Sequence, residues 1–116
     1  MNLQAYLDRI EYTGTTEPTF ATLVQLHRHH LFHIPFENLN IHIPRRIVLD
    51  DTLLFEKIVN EKRGGFCFEQ NGLFHAVLKH LGFDVTRLEA NVHNEGEYGI
   101  PMNHMALLVT IDGVRY

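Results

Sequence analysis

The chain has 116 residues, 45% hydrophobic and 21% charged. That suits one small domain, or a piece of a larger one, with a core burying roughly two-thirds of the unfolded chain's surface. A net charge of −4 gives no broad electrostatic case for nucleic acid, no apolar run approaches the ~18 residues that span a bilayer, and MNLQAYLDRIEY is too acidic and too broken by polar residues for a signal peptide.

Leu3, Tyr6, Leu7 and Ile10 share one face of a first predicted helix, which Thr13-Gly14-Thr15-Thr16 breaks. Glu17-Pro18-Thr19 reads as the start of a second helix, with proline in its first turn. Phe20, Leu23, Val24, Leu26 and Leu31 form its apolar face as far as His33, and Pro35 ends it. The stretch IPFENLNIHIPRR reads as an irregular or short extended connection, and Arg45-Arg46 as a solvated pair. Asp50 or Asp51 caps a third helix with Leu53, Leu54, Ile58 and Val59 facing inward, stopped by Gly64-Gly65.

A fourth helix starts at or just after Cys67, presents Leu73, Phe74, Val77, Leu78 and Leu81 to the core, and closes at Gly82. The period then shortens to two. DVTRLEANVH and HMALLVTID read as strands around a loop, NEGEYGIPMN; Asp112-Gly113 is a turn, and VRY begins another strand. This order predicts an α+β chain: a helical bundle over residues 1–82 with the cysteine on its last helix, then the first strands of a mostly antiparallel sheet over 83–116. The unfinished last strand predicts a fragment of something longer.

The only cysteine sits in RGGFCFEQNGLF, residues 63–74. A lone thiol forms no internal disulfide, so a reducing, cytoplasmic setting is expected. A helix N-terminus stabilises negative charge, and the two glycines allow a sharp turn and a close ligand approach. That is the setting of a nucleophile; the bland alternative is a small buried apolar residue. A nucleophilic thiol needs a base, and His104, opening the strand HMALLVTID, is the best placed. No third group is persuasive. Asp112 lies about 26 Å along the strand from His104 at ordinary strand rise, and nothing in the sequence places Asp84 or Glu89.

RGGFCFEQNGLF closely resembles the active-site segment of the arylamine N-acetyltransferases. AYLDRI, HIPFENLNIH and NHMALLVTIDGVRY agree with that family in order and spacing, so the resemblance runs along essentially the whole chain, though over only the first part of the family's usual length. It implies a Cys-His-Asp triad with Cys67 as nucleophile and His104 as base. The aspartate would fall in a VD-x-GFG segment just beyond Tyr116, which excludes Asp112. It also implies a helical first domain, a β-barrel-like second domain and an α/β third domain, built on a core like that of cysteine proteases and transglutaminases. The activity implied is ping-pong transfer of acetyl from acetyl-CoA, a co-substrate, to an arylamine, hydrazine or similar acceptor.

The resemblance matches Arg9, Glu37 and Arg63 to a charged trio bracing the active-site loop; by composition alone they read as separate surface charges. Phe66 and Phe68 flank the thiol and could line an aromatic-acceptor pocket or belong to the core, with packing favoured for Phe68. Gln70 and Asn71 lie one turn into the helix, and which of them faces the site is not legible. His27, His29, His30, His33 and His42 suggest metal, but no acidic or cysteine ligands accompany them and the family uses none; the expectation is no metal. Another thiol acyl-transfer enzyme or hydrolase, or a non-catalytic module, remain the competing readings.

Overall fold

A computed structural model describes residues 1–43, 46–98 and 103–116. Among the described residues, five α-helices precede the strands: α1 Leu3–Arg9, α2 Phe20–His33, α3 Leu39–His42, α4 Asp51–Phe55 and α5 Cys67–His80. The strands are β1 Asp84–Ala90, β2 His93–Asn94, β3 Glu97–Tyr98, β4 His104–Ile111 and β5 Val114–Arg115. The chain is therefore α+β with an open antiparallel sheet in the order β1-β4-β5, and β2-β3 form a separate two-stranded ribbon. Asp84 pairs with Thr110 and Ala90 with His104, so β1 and β4 match along the full length of β1. Among the described residues, no helix is long and apolar enough to cross a membrane.

Local chemistry sets the boundaries. Asn2 caps α1 through the Ala5 amide, and α1 ends in a reciprocal pair of bonds, Glu11 N–H to Asp8 C=O and Tyr12 N–H to Leu7 C=O. Glu11 fills the left-handed position at φ 54°. Thr19 caps α2 through the Thr22 amide, so Pro18 precedes the cap instead of sitting in the first turn. Asp50 caps α4 through the Thr52 and Leu53 amides. After Phe55 the helix widens into a π turn over Glu56–Asn60, and three consecutive residues, Lys57, Ile58 and Val59, are buried there. Lys62, at φ 54°, takes the left-handed position after that turn, ahead of the glycines expected to stop it. Gly82, at φ 88°, closes α5 with Phe83 N–H on Leu78 C=O.

Gly64 serves a different purpose: a Cβ there would stand 1.9 Å from the Pro35 carbonyl oxygen. The glycine lets segment 63–65 lie against segment 35–37 in a short parallel bridge, with the Glu37 amide on the Gly65 carbonyl at 3.0 Å and the Gly65 amide on the Pro35 carbonyl at 3.3 Å. The connection after Pro35 is also less irregular than its prolines suggest, since Leu39–His42 makes a helical turn. Of the presumed solvated pair, Arg46 is exposed and Arg45 lies outside the described residues. The expected loop after β1 holds the β2-β3 ribbon, turned by Glu95 and Gly96 at φ 49° and 88°; its residues 99–102 lie outside the described residues. Asp112 and Gly113, at φ 49° and 78°, make the same kind of two-residue turn into β5.

The core gathers Tyr6 of α1 and Ile10 just after it, Leu23 and Leu26 of α2, Leu54, Ile58, and Leu73, Val77 and Leu78 of α5. Phe83, Val85 and Val109 join the sheet to it. On α2 the expected apolar face is half wrong: Leu23 and Leu26 are buried, while Phe20, Val24 and Leu31 are exposed and Thr22 and His30 take inward positions. The tyrosine hydroxyl of Tyr6 explains the histidine, for it meets His30 Nδ1 at 2.9 Å inside the core.

Burial, reinforced by the charges of His27 and Arg9, pushes the His30 imidazole down to about 3. The folded chain thus holds His30 neutral, whereas the unfolded chain protonates it near the ordinary pKa of about 6.5. His30's contribution to stability is complete above that pH and is lost as pH falls toward 3, at about 1.4 kcal/mol per pH unit. Urea unfolding from pH 7.5 to 5.0 should show this slope, and His30→Gln, less stable at pH 7.5, should flatten it. An unchanged slope in the variant would exclude the buried imidazole as its source.

Candidate active site

The start of α5 lacks a side-chain N-cap, because Phe66 offers no acceptor. Glu69, three residues on, reaches back instead, and its Oε2 accepts the Phe66 N–H at 3.2 Å. Gln70 Nε2 donates to the Gly65 carbonyl at 2.9 Å and the Pro35 carbonyl at 3.2 Å. Side chains from the first helical turn therefore hold the loop that leads into it. Cys67 is the first residue of that turn, a free and half-buried thiol.

Asn71 stands four residues after Cys67, on the same helical face. Its Nδ2 donates to the Met105 carbonyl at 2.6 Å and so ties α5 to the residue after His104. Gln70 serves the loop and Asn71 the strand, a division the sequence leaves open. The start of β4 and the first turns of α5 thus lie against each other. Among the described residues, no hydrogen bond joins the Cys67 thiol to the His104 imidazole.

His104 and Asn71 line a groove of about 420 Å³ with Val24, His27, Phe74 and Leu107. Phe20 of α2 stacks on Tyr116 at 4.6 Å along its wall, which accounts for the outward setting of Phe20 and Val24. Cys67, Phe66 and Phe68 do not line it; the two phenyl rings are half-exposed, with centroids 5.8 Å apart on either side of the thiol in sequence. A depression of about 450 Å³ at α4 and α5, lined by Asp51, Phe55, His75 and Lys79, contains neither Cys67 nor His104.

None of the carboxylates weighed as a third group sits with His104. Asp84 pairs with Thr110 near the far end of β4, and Asp112 lies in the turn beyond that end. Glu89 pairs with Met105 and therefore projects from the sheet face opposite His104.

Behind the loop lies a network of charge. Glu37 Oε1 receives Arg63 Nη2 at 2.8 Å and stands 3.8 Å from Lys57 Nζ. Lys57 Nζ in turn meets Glu69 Oε1 at 2.7 Å, and both residues are almost fully buried. Arg9 takes another route: its guanidinium donates to the main-chain carbonyls of Ile58, His33 and Arg63. Of the expected trio, Glu37 and Arg63 meet directly, while Arg9 stitches backbone from three segments. Burial pushes the Glu37 carboxyl up, but the Leu39 amide, Lys57 and Arg63 together hold it below the ordinary carboxylate value.

Lys57 and Glu69 went unnoticed in the sequence. The signal was present, since Lys57 falls three residues after Leu54 and beside Ile58, on the apolar side of its helix. A lysine there needs a buried partner.

Two more of these histidines, besides His30, have local partners. His29 Nδ1 donates to the Ile10 carbonyl and His33 Nδ1 to the His29 carbonyl, each at 2.9 Å. Among the described residues, no group of three or more histidine, cysteine, aspartate or glutamate side chains is arranged to hold a metal.

A helical platform is followed by an open antiparallel sheet, with Cys67 opening its last helix and His104 opening strand β4. A family profile described as N-acetyltransferase matches residues 19–116, and the chain belongs to this family, that of the arylamine N-acetyltransferases. It is 42% identical over 119 residues to an arylamine N-acetyltransferase, pineal gland isozyme, of Gallus gallus, in an alignment covering 100% of this chain and 41% of the relative. The arylamine N-acetyltransferase of Salmonella typhimurium superposes with a TM-score of 0.90 at 40% identity, over 97% of this chain and 42% of that one. The Mycobacterium marinum arylamine N-acetyltransferase in complex with CoA gives a TM-score of 0.88 at 39% identity, over 97% and 42%. The chain spans about two-fifths of the length of these relatives.

Glu37→Gln keeps the shape of the side chain but leaves Arg63 and Lys57 short of a charge. It should cost about 2 kcal/mol of unfolding free energy at neutral pH, read from urea denaturation. Because the folded carboxyl sits below its ordinary value, the loss should shrink as pH falls below about 4.5, where the unfolded carboxyl takes up its proton. Unchanged stability at pH 7 would show that the carboxylate braces nothing.

Proposed function

We propose that the protein is the N-terminal portion of an acetyl-CoA:arylamine N-acetyltransferase, in which Cys67 carries the acetyl group. The observation that carries this reading is the Asn71–Met105 bond of 2.6 Å, which holds the helix that begins at Cys67 to the strand that begins at His104. The CoA complex of the Mycobacterium marinum relative supports acetyl-CoA as the donor.

In this reading His104 takes the thiol proton and the Cys67 thiolate attacks the acetyl carbonyl. A tetrahedral oxyanion forms, which backbone N–H groups at the start of α5 would stabilise; such a donor is worth about 3 kcal/mol. CoA leaves as its thiol, taking from His104 the proton that came from Cys67, and the acetyl group rests on sulfur as a thioester. The nitrogen of an arylamine or hydrazine, or an arylhydroxylamine, then attacks the thioester, His104 accepts its proton, and the Cys67 sulfur is released. The order is ping-pong, because CoA departs before the acceptor reacts. Phe66 and Phe68 offer flat apolar surfaces on which an aromatic acceptor would lie.

The aspartate that orients His104 belongs, in this reading, to the part of the relatives' length that this chain does not span. The division into a helical unit, 1–82, and a sheet unit, 83–116, is part of the same reading. The β1-β4-β5 sheet would open a barrel-like second domain on a cysteine-protease-like core, and the protein would work in the cytoplasm. The 116-residue chain alone should turn over acetyl-CoA and an arylamine poorly.

Incubation with acetyl-CoA followed by peptide mass spectrometry should find one acetyl group on Cys67 in the full-length protein. Cys67→Ala should abolish it and His104→Ala should slow it by at least a hundredfold, the usual scale for a general base. Rapid acceptor turnover without acetylated Cys67, or robust turnover by the 116-residue chain, would overturn the corresponding part of the reading.

A further inference from the structure

Strand β5 covers only part of its side of β4. Thr110 faces Arg115 and Ile111 faces Val114, and Val109 exchanges both main-chain bonds with Tyr116, at 2.9 and 2.8 Å. In an antiparallel ladder alternate residues turn N–H and C=O to the same side. Leu107 and Met105 therefore point theirs as Val109 does, away from β1, along an edge that no strand covers among the described residues. The Met105 carbonyl on this edge is already taken, for it accepts Asn71 Nδ2 at 2.6 Å.

The edge opens on the groove of about 420 Å³, whose walls include Phe20, Val24, Phe74, Leu107 and Tyr116. Phe20, Val24 and Tyr116 are 48%, 42% and 46% exposed. An uncovered strand edge beside an apolar groove suits one more extended segment. Tyr116 already stands in the ladder and stacks on Phe20. Whatever is peptide-bonded to it reaches Leu107 without the entropic cost of bringing in a separate molecule. The relatives, of which this chain spans about two-fifths, have the further length that such a segment needs.

We propose that the open edge of β4 seats the residues that follow Tyr116, which extend β5 antiparallel to β4 and stop at Asn71. In the β4–β5 register the second residue beyond Tyr116 falls opposite Leu107 and exchanges both main-chain bonds with it. The third falls opposite Ala106 and the fourth opposite Met105. There the Asn71 amide holds the carbonyl that the fourth residue's N–H would use, and the strand leaves the edge. The inference rests on reading the chain as the N-terminal portion of a longer protein.

Amide exchange and cross-strand NOEs, followed by NMR in the full-length protein and in the 116-residue chain, test this. Val109 N–H should be protected in both. Leu107 N–H should exchange at least about a hundredfold more slowly in the full-length protein. An Hα–Hα NOE should join Ala106 to the third residue beyond Tyr116, as in a directly opposed pair that shares no hydrogen bond. The fourth residue's amide should be unprotected in the parent and gain protection in Asn71→Ala.

Fast exchange at Leu107 in the full-length protein would overturn the proposal. So would protection there without the NOE, which would mean a different segment on the edge, or protection in the 116-residue chain that rises with concentration, which would mean a second copy. Protection of the fourth residue in the parent, or none gained in the variant, would remove Asn71 as the stop. If the 116-residue chain does not fold, the NOE in the full-length protein decides; if Asn71→Ala does not fold, the fourth residue's exchange in the parent decides. Acetyl-CoA labelling tests the acyl-carrier reading separately. An unlabelled Cys67 with the NOE present would remove that reading and leave the strand in place, and a labelled Cys67 with Leu107 exposed would do the reverse.

Discussion

Two hydrogen bonds between segments far apart in the chain set the geometry of everything near the thiol: Glu37 N–H to Gly65 C=O, and Gly65 N–H to Pro35 C=O. They require backbone to touch backbone, and only a glycine at position 64 allows it. Once the contact is made, Glu37 is delivered to Arg63 and Lys57, and Gln70 can bridge both strands of the contact from the helix above. The Cys67 turn is therefore shaped by long-range backbone pairing, and the local helix only completes it.

The burial of Lys57 shows what this geometry demands. An ammonium removed from water needs a close, well-aligned carboxylate, and the π turn that swings Lys57 inward beside Ile58 also brings it to Glu69. A regular helix with an apolar residue at 57 would be simpler and could be more stable. The chain instead places a compensated pair beneath the first turn of α5.

Elements with strong, uninterrupted periods were legible in the sequence. Leu73, Phe74, Val77 and Leu78 define α5, the apolar run of β4 finds its partner in β1, and Asp112-Gly113 turns where that dipeptide should. The family was legible for a different reason, since RGGFCFEQNGLF packs glycines, thiol and capping residue into twelve positions with little freedom. What escaped depends on contacts that have no local trace. Leu39–His42 becomes helical because Glu37 accepts the Leu39 amide at 2.8 Å, and Glu37 is itself held in place by Arg63. His30 replaces an apolar residue on α2 because Tyr6, 24 positions earlier, supplies a hydroxyl. Phe20 and Val24 face outward because a groove, and not the core, lies beside them.

The narrow gap between Gly65 and the Glu69 carboxylate also limits how this protein can change over generations. Any side chain added at position 65 collides with the acid while the acid is present, and shortening the acid first strands the ammonium of Lys57. Departure from this arrangement therefore has to reach 69 before it reaches 65, while a change at 57 or 69 alone leaves the other's charge unmatched. Three sites separated in the chain are thereby bound to change in concert.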